Sequence, residues 1–101
     1  MQDDANAEKS YHEAIRRDPR LVTSYLGLAK IYQRQQKYDL ALAETAEALK
    51  LDPERTEAHY IRGQALLRLG RKEEAKKEMA AAASQKKEVA VPSPELMQDT
   101  Q

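Results

Sequence analysis

The sequence predicts an all-α fold in which antiparallel helix hairpins stack into a solenoid, and three observations carry that reading. Asp18-Pro19 and Asp52-Pro53 are two copies of one chain breaker, 34 residues apart. The same offset lays Glu13-Ala14 on Glu47-Ala48, Ile15 on Leu49, Ala7 on Ala41 and Ala75, and Ala14 on Ala48 and Ala82. Repetition at a fixed period of this size is the signature of a repeat stack. Within each period, apolar residues recur at helical spacing.

Five helical segments follow in order. Asp4–Arg17 opens with Asp3 and Asp4, whose charge suits the positive end of a helix dipole. It stops at Asp18-Pro19, because proline has no N–H to donate and turns the residue before it away from helical angles. Val22–Gln35 places Tyr25, Leu28, Ala29 and Tyr32 at i, i+3, i+4 and i+7, one face of a helix. The polar run Gln35-Gln36-Lys37 separates it from Tyr38–Leu51, where Ala41, Thr45, Ala48 and Leu49 repeat the rhythm up to Asp52-Pro53. Thr56–Leu69 ends at Leu69-Gly70-Arg71, one period after the Gln36 break. Gly70 can take the left-handed conformation that closes a helix; Gln36 can do so only at some cost. Lys72–Gln85 begins with Glu73-Glu74, again acidic at a helix start. Pro92 and Pro94 forbid a continuous helix beyond, so Lys86–Gln101 reads as an extended or disordered tail. The alternative folds Val89 and Val91 back onto the last helix.

Composition narrows the function. At 101 residues the chain is one small domain at most. It has neither Phe nor Trp, so its core is built from Ala, aliphatic residues, Met and five Tyr. Such a thin core suits helices that approach closely through alanine. Seventeen basic residues balance seventeen acidic ones, leaving no basic stripe for a phosphate backbone, so nucleic acid is not an expected partner. No cysteine is present to form a disulfide, a thiolate metal site or a nucleophile. No apolar run is long enough to cross a bilayer, and the first ten residues are too polar for a secretory leader, which favours a cytoplasmic location. His12 and His59 are far apart, and neither has a second ligand at metal spacing. With no nucleophile–base signature, phosphate loop or carboxylate cluster, no enzyme, metal or cofactor is expected.

The residues resemble the tetratricopeptide repeat. Its pattern sets a large aromatic, a Leu, a small residue and a Tyr on the first helix, then Ala and a bulky residue on the second, closed by proline. The middle unit, residues 22–53, shows Tyr25, Leu28, Ala29, Tyr32, Ala41, Thr45, Ala48 and Pro53, and only Thr45 departs, where an aromatic is usual. The last unit, residues 56–85, gives His59, Gly63, Leu66, Ala75, Met79 and Ala82, with Arg62 in place of Leu and no closing proline. Residues 1–19 supply a second half only, with Ala7, Tyr11, Ala14 and Pro19. The repeat domain is therefore assigned to residues 1–85 as about two and a half repeats and the tail to 86–101. The chain is expected to be the C-terminal end of a longer array. His59 is expected to replace the usual aromatic in helix packing.

The resemblance implies a right-handed superhelix whose first helices line a concave groove. On the face opposite Tyr25, Leu28 and Tyr32 lie Thr23, Leu26, Lys30, Gln33 and Arg34, and one period later Glu57, Tyr60, Gln64, Leu67 and Arg68. Leu26 and Tyr60 would form an apolar step, and Lys30, Arg34, Gln64 and Arg68 a line of donors. Such a strip suits a protein or peptide partner that is acidic or ends in a free carboxylate. The carboxylate clamp of chaperone-binding relatives needs three first helices and Asn residues that this strip lacks, so chaperone tails are not expected. Ala7, Tyr11 and Ile15, on a helix without its hairpin partner, suggest a second role in self-assembly as a homodimer. A third reading makes the chain a regulatory appendage of a larger enzyme.

Overall fold

A computed structural model describes residues 3–90, with side chains as far as Ser84. Five helices follow one another: α1 (Asp4–Arg17), α2 (Val22–Arg34), α3 (Tyr38–Leu51), α4 (Thr56–Arg68) and α5 (Lys72–Ala90). Each packs on the next, and the short links make neighbours antiparallel, so the described chain is an α-solenoid of hairpins α2–α3 and α4–α5 preceded by α1. α2 and α4 also touch directly. Helix ends agree with expectation to within a residue except for α5. That helix continues five residues past Gln85, through Lys86, Lys87, Glu88, Val89 and Ala90, before the first proline at Pro92. Residues 91–101, the remainder of the expected tail, lie outside the described residues.

The hairpin turns are built alike. Lys37 N–H donates to Tyr32 C=O (2.8 Å) and Gln36 N–H to Gln33 C=O (3.0 Å); one period later Arg71 N–H reaches Leu66 C=O (2.9 Å) and Gly70 N–H Leu67 C=O (3.0 Å). Both are the paired closure that needs a left-handed residue at its centre. Gly70 takes φ 81°, whereas Gln36 takes φ 62° with a side chain present.

The joints between hairpins also repeat. Asp18 N–H caps Ala14 C=O (2.8 Å) and Asp52 N–H caps Ala48 C=O (2.9 Å). The Tyr25 hydroxyl donates to Pro19 C=O (2.7 Å), and 34 residues on the His59 Nε2 lies 2.8 Å from Pro53 C=O. His59 thus reproduces the polar contact of the aromatic it replaces. Its other ring nitrogen meets Glu78 (2.8 Å).

The core forms two clusters along the stack. One gathers Leu28, Tyr32, Ala41, Leu42, Ala65, Leu66 and Ala75; the other Tyr25, Leu26, Ala29, Ala48, Ala58 and Ile61, and Ile15 packs against both. Gly63 is buried where an added Cβ would come within 3.0 Å of Met79. Two of the departures from the repeat pattern, Thr45 and Arg62, meet in space. Thr45 is fully buried and donates to Leu42 C=O (3.0 Å), and the Arg62 Nη1 donates to that carbonyl (2.9 Å) and approaches the Thr45 hydroxyl (3.4 Å). The small threonine leaves room for the guanidinium, and the guanidinium helps satisfy a polar centre that an aromatic–leucine pair would have kept apolar.

Candidate functional site

Because α2 and α4 are successive first helices, their outward strips lie side by side and enclose two adjoining hollows. The first, about 340 Å³, is floored by Leu26, Gly27 and Ile31 and rimmed by Ala7, Tyr11, Thr23, Lys30, Arg34 and Glu57. The second, about 390 Å³, lies between Gln33, Arg34, Tyr38, Gln64, Leu67 and Arg68. Arg34 stands at the boundary of both. Every expected groove residue except Tyr60 lines one of these hollows.

Their states differ from the sequence expectation in two respects. Leu26 is only 2% exposed, so it is core and floor rather than half of an apolar step. Helical periodicity does not show this, because α2 has neighbours on several sides: every residue from Ser24 to Ala29 is buried. The apolar surface actually offered is on α4, where Tyr60 and Leu67 are 50% and 49% exposed. Seven residues apart, they share one face.

The donors are also largely engaged. Lys30 forms an ion pair with Glu57, linking α2 to α4. Arg34 Nη2 lies 2.5 Å from Asp4 Oδ1, linking α2 to α1. Gln33 Nε2 donates to Gln64 Oε1 (3.1 Å) across the same groove. Arg68 is exposed and makes no ion pair among the described residues. Gln64 uses only its oxygen in the bond from Gln33, so of the expected donors its amide nitrogen and Arg68 stay unengaged among the described residues, with Lys30 and Arg34 held by carboxylates of the chain itself.

Ala7, Tyr11 and Ile15 are half-buried, and what covers them is α2. The Tyr11 ring lies so close to the Gly27 backbone that an added Cβ would fall 2.5 to 2.6 Å from its ring-edge carbons. Gly27 is the residue the repeat pattern did not single out, although a glycine inside an apolar helix is a signal for close approach. Polar ties reinforce this contact: the Tyr32 hydroxyl donates to Glu8 Oε2 (3.1 Å). Burial, and then the neighbouring Glu8 carboxylate, push the Tyr32 phenol up to about 12. The outer side of α1 is exposed and charged, with Lys9, His12, Glu13 and Arg16.

Among the described residues no group of His, Asp and Glu is placed to hold a metal ion, and no helix is long and apolar enough to cross a membrane. A family model described as tetratricopeptide repeat matches residues 3–44 and 26–90, two overlapping spans that together take in all five helices.

Proposed function

The chain belongs to the tetratricopeptide repeat family, whose repeats generally mediate protein–protein interactions, and from that premise we propose that it is a scaffold holding a peptide segment along the α2–α4 strip. The observation that supports this most is that exposed Leu67 and Arg68, the latter without an ion pair among the described residues, line the second hollow, with exposed Tyr60 on the same face of α4 seven residues before Leu67. A partner segment laid along the strip would bury an apolar side chain on Tyr60 and Leu67, and present a carboxylate to the Arg68 fork. The Gln33–Gln64 pair can exchange its mutual bond for bonds to an extended backbone. An acidic segment or a free carboxyl terminus remains the proposed partner chemistry.

The test begins with capture on the immobilised full chain and identification by mass spectrometry. Titration calorimetry then compares the wild type with Tyr60→Ala and Arg68→Ala. Each exposed substitution should leave the helical spectrum unchanged and weaken the partner about ten-fold or more. Equal affinity for both variants would remove this strip as the binding surface. Self-assembly through α1 has less support, since its apolar face lies on α2 and its outer side would bring charges into a dimer contact.

A further inference from the structure

The His59 side chain sits between two acceptors. Pro53 C=O, 2.8 Å from Nε2, can only accept, so Nε2 carries a hydrogen in that bond. An ionised Glu78 carboxylate, 2.8 Å from Nδ1, can also only accept. The two contacts coexist only if the cluster holds one proton more than a neutral imidazole beside a carboxylate. Tyr25, at the equivalent joint, meets the same kind of carbonyl through a hydroxyl that donates on its own. His59 therefore adds to the joint a dependence on protons.

The surroundings are defined on each side. From α4 comes Arg62, whose Nε lies 3.6 Å from the second Glu78 oxygen. From the α3–α4 turn come Asp52 and Arg55, paired with each other at 3.0 Å. From α5 come Glu78 and, towards Arg62, Glu74, which is engaged by Arg71. α3 contributes the Thr45 hydroxyl and Leu42 carbonyl, both already bonded. Arg62 can hold one carboxylate oxygen but does not reach Nδ1, so it does not relieve the lone-pair conflict that appears when the shared proton leaves.

We propose that His59 and Glu78 form a proton-dependent latch between α4 and α5. With the shared proton bound, the ring ties the Pro53 joint to α5. Without it, the neutral ring can donate from only one nitrogen, so either the Glu78 bond or the Pro53 bond is given up and the tie between the joint and α5 is broken. Because the latched state binds the extra proton, α5 loses protection as that proton is withdrawn with rising pH.

The experiment is residue-resolved hydrogen exchange of the full chain between about pH 5.5 and 8.5, corrected for intrinsic rates, together with nitrogen-15 spectra of the two histidine rings. Protection of α5 amides relative to α3 should fall about ten-fold across this range, the size expected for one charge-assisted bond. Both His59 nitrogens should be protonated at the low end. Glu78→Gln offers Nδ1 an amide donor, and His59→Tyr restores the hydroxyl-to-carbonyl bond of the other joint. Either should make relative α5 protection flat with pH. A flat wild type, or the same slope in a folded variant, overturns the latch. A wild-type His59 ring that is neutral at the low end overturns it as well, without recourse to either variant.

Discussion

Gln36 carries a positive φ at a turn whose twin is Gly70, and that one residue has a measurable cost. A Cβ in the left-handed region is disfavoured where glycine is not. Gln36→Gly should therefore raise stability by about 0.5–1 kcal/mol net of the unfolded-chain entropy that glycine adds, seen as a thermal midpoint higher by roughly a few degrees. A lowered midpoint would show that the Gln36 side chain itself stabilises the turn. This residue was legible in advance, because the break at 35–37 and its glycine-bearing copy identify the position by period alone. Gly27 was not. The period marks the positions that face a hairpin partner, whereas Gly27 accommodates a ring from the preceding helix. Arg62 and Thr45 were each visible as departures, but their mutual contact depends on how α3 and α4 cross.

At the level of elements, α1 differs from the other four in having no buried residue. It is held by the Tyr11 ring on Gly27, by Ile15, and by the polar ties Tyr32–Glu8 and Arg34–Asp4. The Tyr32 tie has a defined pH signature. Its phenol is raised from 10.0 to about 12 in the folded chain, so the fold holds that proton more tightly than the unfolded chain does. The resulting contribution is complete below pH 10.0 and is lost as pH rises through about 12. Melting followed from pH 9 upward, with pH 9 taken as roughly the start of tyrosine ionisation, should show a steeper alkaline decline for the wild type than for Tyr32→Phe. At neutral pH the variant should lose about 1 kcal/mol through the missing bond. Parallel declines would place the alkaline sensitivity elsewhere. Helix positions were readable because the breakers repeat. Which residues of α2 face solvent was not readable, since α1, α3 and α4 all pack on it and a single-helix periodicity counts only one neighbour.

Among the described residues, contacts run mainly from each helix to the next, with α2–α4 the one link that skips a neighbour. Stability in such a stack is close to a sum of unit and interface terms, so opening should be graded rather than uniform. Amide exchange should be slowest in α2, α3 and α4, where the two core clusters meet, and at least about ten-fold faster in α1. Uniform protection would mean that α1 is cooperative with the core. The solenoid was legible from the sequence because repetition is itself a sequence property. The charge state of the groove was not, because Arg34–Asp4 and Lys30–Glu57 join residues on different helices.

For the acidic segment proposed as partner, those two pairs would act as an internal competitor. An acidic segment that reaches Lys30 or Arg34 must displace a carboxylate already tethered at high local concentration, so each such contact is an exchange rather than a gain. Added salt weakens the outgoing pair along with the incoming one. Affinity should therefore fall with ionic strength less steeply than three basic side chains would suggest, and selection among acidic partners should rest on what they place against Tyr60 and Leu67.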